Sequence, residues 1–574
     1  MTAYPLHSAM MSQAGFGRSS FVLVVMLGAL SLMVARAFYL QVLDAPFLRR
    51  EARHQQVETI RKEGHRGMIV DRNGHPLAIS TPVDSLWANP QVLIKEPNVW
   101  PRLAAAIGWT LPTFEHALTH QRHEQFMYLR RQVDPRFAQH VLDLRIPGVT
   151  SQREYRRYYP TGAVSATLVG FTNINDQGQD GIELAYNARL SPQAGTAVVI
   201  RDGQGEPIAI RKGPHPPQPG KNLVLSVDQR IQYLAYRQLL KAVRYHDARS
   251  GSAIVLDSRT GQVLALVNVP SFNPNTRSDL NSAYYRDRAV TDVIEPGSSL
   301  KPFTIALALQ TGRVVPHTLV NTSPGSYWVG PNKISDVGNF GLIDVSHVIA
   351  DSSNVGASKI ALTTLTRTAM YRNFLALGFA HSTHSGLPGE SPGVLAPPNT
   401  WAPIQKATLS FGYGISVTPL QLARAYTVFA NGGVLEPISI LKETGPVKGR
   451  RVYSRAVARE MRHMLELAAS PMGTGAAADI VNYRVAGKTG TAHIADSKGY
   501  HRYRYVASFA GFAPASHPRL VMVVVIRDPQ KHGYYGAECA APVFRKVMTG
   551  ALRILNIPPD DPITTMARAT MRLP

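Results

Sequence analysis

The chain has 574 residues, of which 44% are hydrophobic and 17% are charged, so it is long enough for two or more folded domains and too apolar to be disordered. Lys and Arg outnumber Asp and Glu by 61 to 38, a balance that suits an anionic membrane surface or phosphate-bearing ligands as well as an ordinary basic surface. No run of Lys and Arg, zinc-finger spacing or stacking motif accompanies this charge, so we expect no nucleic-acid partner.

The N-terminal region contains one long apolar segment. Its uncharged run ends at Ala35, and its apolar character continues past Arg36 to Leu43, about the 20 residues that a helix needs to cross a bilayer. A cleaved signal peptide is the alternative, because the sequence Ala-Arg-Ala stands at the end of the uncharged run. We predict an uncleaved membrane anchor. Arginines after the segment argue mildly, by the positive-inside rule, against export of the body of the protein.

The next part of the chain, up to about residue 210, predicts a mixed, turn-rich region. A strand pair is expected at 65–80, where apolar and polar residues alternate around Asn73-Gly74, the strongest short-range hairpin signal. The polar loop that begins at Asn173 resembles a calcium loop only superficially, because its twelfth residue is Leu184 and not glutamate, so we expect no metal there. The Pro- and Gly-rich stretch at 212–221 excludes helix and strand and predicts a domain boundary.

The second half of the chain has well-marked helices and strands. In chain order, the expected features are a helix capped by Asp228, a hairpin turning at Arg259–Gly261, a helix from Thr418 to Gly432, strands at 504–515 and 519–528, and a closing helix from Ala541. Strands at both ends of this segment, with helices between them, predict a sheet that distant parts of the chain complete and helices cover.

A serine and a lysine stand three positions apart behind a Pro-Gly corner, where an apolar helix is predicted to begin. Positions i and i+3 share one face of a helix, so Lys301 can reach Ser298. Serine is a weak nucleophile until a base removes its proton, and lysine acts as a base only when it is neutral. Lowering the lysine pKa by ~3 units corresponds to roughly 4 kcal/mol, which burial and a second cation can supply.

The same spacing occurs again at Ser439 and Lys442, and about two such pairs are expected by chance in a chain of this length. The second pair lies in a short stretch that is predicted to be a strand, where positions i and i+3 point to opposite faces. The position at a helix start, where free N–H groups favour a developing oxyanion, therefore favours Ser298 over Ser439 as a nucleophile.

Two further motifs strengthen this interpretation. Ser352-Ser353-Asn354 has the pattern S-x-N, and Lys488-Thr489-Gly490, which leads into Thr491, has the pattern K-T-G. Each is weak alone, because the first is usually a loop or a helix cap and the second a turn. Together with S-x-x-K they form the set found in penicillin-binding proteins and class A β-lactamases. Their order within one predicted domain, 54 (352 minus 298) and 136 (488 minus 352) residues apart, makes the set specific.

With these motifs, the chain resembles the class B penicillin-binding proteins, and most closely the septal, cell-division peptidoglycan D,D-transpeptidases of the penicillin-binding protein 3 type. The likeness includes RGMIVDRNGHPLAIS, IEPGSSLKPF and LSFGYGISVTPLQLARAY, and it covers nearly the whole chain from the membrane segment to about residue 557. It implies an α+β multidomain protein of the cell inner membrane, with a single transmembrane helix and its catalytic domain in the periplasm. The implied parts are a cytoplasmic tail at 1–20, an anchor at 21–43, an elongated mixed pedestal domain of the dimerisation type at 44–215, a transpeptidase domain with a helix-flanked antiparallel sheet at 221–557, and a C-terminal tail at 558–574.

The resemblance also implies catalytic roles. Ser298 would attack the penultimate D-Ala carbonyl of a stem pentapeptide, with Lys301 as its base. Ser352 would relay a proton to the leaving amine. Lys488 would keep Lys301 neutral by like-charge repulsion.

Substrate-binding roles follow from the same resemblance. Asn354 would bind the peptide amide of the substrate, and Thr489 and Thr491, on either side of Gly490, would hold its terminal carboxylate together with Lys488. The backbone N–H groups of Ser298 and Thr491 would form an oxyanion hole.

The resemblance implies no metal and no cofactor. The implied partners are stem peptides that end in D-Ala-D-Ala, β-lactam antibiotics, the membrane bilayer, a membrane-embedded glycan polymerase and other division proteins. A D,D-carboxypeptidase, a β-lactam hydrolase or sensor, and a non-catalytic division scaffold are the alternatives. Ser353 stands where class A β-lactamases have Asp, and no motif supplies their deacylating glutamate, so we expect no efficient hydrolysis. No glycosyltransferase-like domain is recognisable, so a monofunctional enzyme is expected.

Overall fold

The structure is a computed structural model that describes most of the chain. The described ranges are 17–47, 57–62, 64–201, 207–212, 215–276, 281–445, 448–496 and 499–561. Most of the predicted tails at 1–20 and 558–574 therefore lies outside the described residues. The chain divides into two compact units, of which the first comprises Met1–Gly64 with Gln193–Gln218 and the second comprises His65–Pro192 with Pro219–Pro574.

The first unit contains the predicted anchor and a small sheet. An α-helix runs over Arg18–Phe38, and a π-helical turn continues it over Tyr39–Leu43. Within the described part of the chain, Ser20–Leu43 is the one helical segment that is long and apolar enough to cross a membrane, with a hydropathy of 2.3. The sheet consists of three antiparallel strands in the order Val57–Lys62, Gly195–Arg201 and Pro207–Lys212.

The second unit begins with a region built around the long strand Pro76–Ala88. The predicted turn at Asn73-Gly74 is present and joins this strand to Ile69–Val70. The Asp71 carboxylate closes the turn, because it accepts hydrogen bonds from the N–H groups of Asn73 and His75, both at 2.8 Å. The other elements of this region are the strands Met127–Val133, Val149–Tyr158 and Leu223–Val224 and the helices Trp100–Ala106, Leu111–His120 and Pro135–Leu142.

The remainder of the second unit is organised around a five-stranded antiparallel sheet. Its strands, in chain order, are β1 (Ser250–Asp257), β2 (Val263–Val269), β3 (Ala486–Asp496), β4 (Gly499–Ala513) and β5 (Leu520–Arg527). Their order across the sheet is β2-β1-β5-β4-β3. Strands from both ends of the segment therefore complete one sheet, as predicted. Every residue of β2 is buried, which requires cover on both faces.

Helices cover both faces of this sheet. The labelled helices are α1 (Gln229–Tyr245), α2 (Lys301–Gln310), α3 (Asn354–Thr364), α4 (Pro419–Ala430), α5 (Arg455–Ala469) and α6 (Ala541–Ile554), and shorter ones are Val345–Ala350, Arg367–Ala376 and Pro403–Leu409. Helices α1 and α6 share one apolar core with the sheet, whereas α2, α4 and α5 share the core on its other face.

Both predicted helix caps are present. The Asp228 carboxylate accepts a hydrogen bond from the Arg230 N–H at 3.0 Å, and the Thr418 hydroxyl accepts one from the Gln421 N–H at 3.1 Å. These bonds satisfy N–H groups that the first turn of a helix leaves free. The predicted α+β architecture with a helix-flanked antiparallel sheet is confirmed.

Candidate active site

Ser298 lies in a tight turn against strand β3. Gly297–Leu300 forms one 3₁₀ turn, and the α-helix α2 begins only at Lys301, so the helix begins later than predicted. Gly297 has a φ of +55°, and a Cβ atom at this position would lie 2.9 Å from the carbonyl oxygen of Thr491. Glycine is required here by both its conformation and the close approach of the strand, which brings the nucleophile candidate beside β3.

The side chain of Lys301 joins two serine hydroxyls. Its Nζ atom lies 3.0 Å from the Oγ atom of Ser298 and 3.1 Å from that of Ser352, and it also donates a hydrogen bond to the Ser352 carbonyl oxygen. Lys301 is fully buried. Burial lowers its pKa well below the ordinary value, the charge of Lys488 lowers it further, and the Asp336 carboxylate opposes both effects. Burial and the charge of Lys488 therefore favour the neutral form of the Lys301 amine, which lies between two hydroxyls.

The S-x-N turn is held by a carboxylate that the sequence did not reveal. Asp336 accepts hydrogen bonds from the Ser353 hydroxyl at 2.6 Å and from the N–H groups of Asn354 and Val355. The Ser353 hydroxyl also accepts from the N–H of Gly356 at 2.8 Å and so caps α3. Asp336 directly follows the strand Asn332–Ser335, and no motif marks it in the sequence. These contacts position the neighbouring Ser352, which adopts the left-handed conformation with a φ of +63°.

The K-T-G residues lie on β3 rather than in a turn. Lys488 is fully buried, and its Nζ atom donates to the hydroxyls of Thr474 at 3.2 Å and Thr489 at 3.3 Å. The Thr489 hydroxyl donates to that of Thr474 at 3.1 Å. Burial lowers the pKa of Lys488 to about 7, against an opposing effect of Asp351. Thr474 is a second residue that the motifs did not indicate, because it precedes β3 by a loop.

Gly490 allows β3 to lie against the turn that carries the nucleophile candidate. A Cβ atom at this position would lie 2.4 Å from the Ser508 hydroxyl and 2.7 Å from the backbone oxygen of Pro296. Any side chain would therefore push the strand away from the segment that precedes Ser298. The next residue, Thr491, accepts a hydrogen bond from the Gly536 N–H at 3.1 Å through its hydroxyl.

The eight predicted site residues do not all contact one another. Ser298, Lys301 and Ser352 share direct contacts, whereas Lys488 acts on Lys301 through its charge. The side-chain amide of Asn354 donates to the carbonyl oxygen of Ser335 at 2.9 Å.

The second serine–lysine pair forms no such site. The Ser439 hydroxyl donates to the carbonyl oxygen of Leu441 at 2.7 Å, whereas the Lys442 amine donates to that of Arg72 at 3.0 Å. The two side chains thus contact different partners. The predicted strand is absent, because Ser439 and Leu441 form only isolated bridges with Gln262 and Leu225.

Comparison with known proteins identifies the family. A family model described as the penicillin binding protein transpeptidase domain matches residues 251–549, and one described as the penicillin-binding protein dimerisation domain matches residues 61–225. The chain belongs to the penicillin-binding proteins. The predicted family is therefore confirmed.

Similar proteins match this penicillin-binding protein over nearly its whole length. It is 40% identical over 558 residues to the "Probable peptidoglycan D,D-transpeptidase PenA" of Neisseria gonorrhoeae, and the match covers 96% of this chain and 95% of the relative. It is 41% identical over 537 residues to the "Peptidoglycan D,D-transpeptidase FtsI" of Escherichia coli K12, and this match covers 93% of this chain and 91% of the relative. The solved apo structure of the transpeptidase domain of Burkholderia pseudomallei penicillin-binding protein 3 covers 59% of this chain and 98% of its own, at 43% identity and a TM-score of 0.55. These relatives and the helix at Ser20–Leu43 agree with a single-pass protein of the inner membrane.

Proposed function

We propose that this penicillin-binding protein is a serine-type peptidoglycan D,D-transpeptidase that cross-links stem peptides during septal wall synthesis. One observation carries the proposal. The buried amine of Lys301 lies within hydrogen-bond distance of two hydroxyls, those of Ser298 and Ser352. A lysine whose pKa is lowered in this way supplies the base that a serine nucleophile needs.

In the acylation step, the Ser298 oxygen attacks the carbonyl carbon of the penultimate D-Ala. Lys301 takes the proton of the Ser298 hydroxyl, the bond between that carbon and the nitrogen of the terminal D-Ala breaks, and an ester with Ser298 remains. The proton taken from Ser298 passes from Lys301 through Ser352 to the leaving nitrogen, so D-Ala departs with an uncharged amino group and its carboxylate. The distances from Lys301 to both hydroxyls support this relay.

Strand β3 supplies the substrate contacts in this proposal. Thr489 and Thr491, with Lys488, hold the terminal carboxylate, and Asn354 binds the peptide amide. The N–H groups of Ser298 and Thr491 stabilise the oxyanion, and the close packing of β3 against the Ser298 turn supports such a pair of donors.

The acyl-enzyme is resolved by an amine from a neighbouring stem peptide. The amine nitrogen attacks the ester carbon, Ser298 regains its proton, and a peptide cross-link forms. A β-lactam mimics the D-Ala-D-Ala end and leaves Ser298 blocked as an ester. The carboxypeptidase and hydrolase alternatives differ only at this step, because they use water in place of the amine.

The proposal includes a location and partners. The body of the protein lies in the periplasm, with a pedestal at 44–215 and a transpeptidase domain at 221–557. A membrane-embedded glycan polymerase and other division proteins act with it, because a monofunctional transpeptidase depends on glycan chains made elsewhere. No cofactor takes part.

Labelling with a fluorescent penicillin tests the nucleophile. The parent chain, Ser298→Ala and Ser439→Ala are compared, and the last variant is the matched control because Ser439 has the same sequence spacing to a lysine. We expect the Ser298→Ala variant alone to lose the label. Label retained by Ser298→Ala, or a mass spectrum with the drug on another residue, would refute the assignment.

Product analysis separates the three functions. A transpeptidase forms cross-links when an acceptor amine is supplied, a carboxypeptidase releases D-Ala rapidly without one, and a scaffold supports division as the Ser298→Ala variant. Complementation of a division-defective strain with parent and variant measures the last possibility. Complementation by the Ser298→Ala variant would contradict a catalytic role.

A further inference from the structure

A cluster of charged residues lies at one end of the central sheet, where β5 ends and β1 begins. Arg527 is the last residue of β5, and the N–H of Arg249, just before β1, donates to its carbonyl oxygen at 3.1 Å. The cluster, named here the arginine cluster, comprises Arg249, Arg286, Arg288, Arg504 and Arg527, together with Asp292 and Asp528.

Only two of the five arginines have an acidic partner within the described chain. The guanidinium of Arg504 pairs with Asp528 at 2.8 Å, and that of Arg286 pairs with Asp292 at 2.5 Å. Arg249, Arg288 and Arg527 form no ion pair with any described residue. The cluster therefore carries an excess of three positive charges.

The unpaired arginines are close enough to repel one another. Burial lowers the pKa of Arg288, and the charges of Arg286, Arg249 and Arg527 lower it further, against the opposing effect of Asp292. The same guanidinium donates to the Ala283 carbonyl oxygen at 2.6 Å, but its Nη1 atom is buried and has no hydrogen-bond partner in the described residues. Holding these cations together costs free energy, which a bound anion would offset.

The arginine cluster faces the same side of the sheet as the candidate active site. Arg527 stands opposite Val506 on β4, which stands opposite Ala492 on β3. Ala492 follows Lys488 by an even number of positions, so the side chains of Arg527 and Lys488 point to one face. Strand geometry puts their Cα atoms about 17 Å apart, from about 14 Å along the strands and about 10 Å across two strand spacings.

This separation equals the reach of a stem peptide, because five extended residues span about 17 Å. The cluster is also open to solvent, since Arg249 and Arg286 are exposed and Arg527 is half-buried. Guanidinium groups match carboxylates with paired, parallel hydrogen bonds.

We propose that the arginine cluster binds a carboxylate of the peptidoglycan stem peptide, near its glycan-linked end, while its D-Ala-D-Ala end lies at Ser298. This inference rests on the proposed function and adds a second anchoring point for the substrate. It makes the enzyme selective for stem peptides that carry an acidic residue at that distance from the reacting carbonyl.

Two synthetic pentapeptides test the selectivity. Both end in D-Ala-D-Ala, and they differ only in whether the acidic residue near the other end carries a carboxylate or a carboxamide. D-Ala release by the detergent-solubilised full chain is followed with a D-amino acid as acceptor. We expect kcat/KM to favour the carboxylate peptide about tenfold, as one charge-assisted pair provides, and the preference to shrink as salt is added.

The variant Arg249→Gln/Arg527→Gln is expected to lose this preference through a higher KM for the carboxylate peptide, while Arg249→Lys/Arg527→Lys retains part of it. Arg545→Gln is the matched control, because Arg545 is an exposed arginine on α6, which covers the other face of the sheet. The control variant should keep the full preference.

Penicillin labelling separates the possible failures. Penicillin is too small to reach the arginine cluster from Ser298, so all these variants should be labelled at the parental rate, which also shows that they fold. Normal labelling with no carboxylate preference in the parent, or with an unchanged preference in the Gln variant, would overturn the inference. Parallel loss of labelling in the Gln variant would assign the cluster a structural role instead. A parent that is not labelled at Ser298 would refute the proposed function itself, and this inference with it.

Discussion

Replacing Asp287 by asparagine is expected to change how the stability of the protein depends on pH. Asp287 is buried, with 8% of its surface exposed. Its Oδ1 atom accepts hydrogen bonds from the side-chain amide of Asn268 at 2.8 Å and from the Ala289 N–H at 3.2 Å, whereas its Oδ2 atom has no hydrogen-bond partner among the described residues. Burial raises the pKa of Asp287 to about 7, against the opposing effect of these hydrogen bonds.

The magnitude follows from the difference in proton binding. The carboxyl group titrates near pH 3.8 in the unfolded chain and near pH 7 in the folded one, so the folded state binds more protons between these values. Stability therefore falls as the pH rises through this window, by about 4 kcal/mol for a shift of about 3 pKa units. Asparagine cannot titrate. The difference in unfolding free energy between Asp287→Asn and the parent should thus rise by about 4 kcal/mol from pH 4 to pH 8.

Urea unfolding of the detergent-solubilised chain, followed by tryptophan fluorescence at pH 4, 6 and 8, measures this difference. Any effect of the exchanged amide group that does not depend on pH cancels in the comparison. Glu115→Gln is the control, because Glu115 is an exposed carboxylate on the helix Leu111–His120. A difference between Asp287→Asn and the parent that stays constant from pH 4 to pH 8 would refute the reasoning.

Two other substitutions test contacts around the site, and a third tests a helix cap. Asp336→Asn removes the charge that holds the S-x-N turn and should slow acylation by fluorescent penicillin at least about tenfold. Hydrogen bonds to a charged group contribute about 1.5–3 kcal/mol each, and this variant weakens several of them. An acylation rate equal to that of the parent would contradict this prediction. Gly490→Ala would place a methyl group 2.7 Å from the backbone oxygen of Pro296, so we expect a lower melting temperature and loss of penicillin labelling. A parental melting temperature together with parental labelling would show that β3 can move away without cost. Thr418→Ala removes the cap of α4 and should lower the free energy of unfolding by about 1 kcal/mol in urea titration. The Thr418 variant should keep its penicillin labelling, because the cap makes no contact with the candidate nucleophile.

Local sequence signals predicted the elements that depend on neighbouring residues. The caps at Asp228 and Thr418 and the turn at Asn73-Gly74 require only side chains and backbone within a few positions, so the pattern and the structure agree. The helix behind Ser298 begins later than predicted, because the preceding 3₁₀ turn is set by the approach of β3 to Gly297. That approach is a tertiary contact, which no local pattern reports.

The candidate site shows the same division between local and distant contacts. The pairing of Ser298 with Lys301 follows from their spacing, but Asp336 and Thr474 were not found, because their partners lie elsewhere in the chain. Neither has a motif of its own. The roles proposed for the motif residues stay predictions until the labelling and product experiments are done.

The sequence by itself determined the family, the fold class, the membrane segment and the residue types available for acyl transfer, because motif order, hydropathy and capping patterns can be read without knowing which segments meet. Only the tertiary structure decided which of those residues meet. It placed Lys301 between two hydroxyls, buried Lys488 near enough to lower the pKa of Lys301, and gathered arginines from four separate segments. Burial and charge repulsion arise only when distant segments pack together, and these two effects set the chemistry of the site.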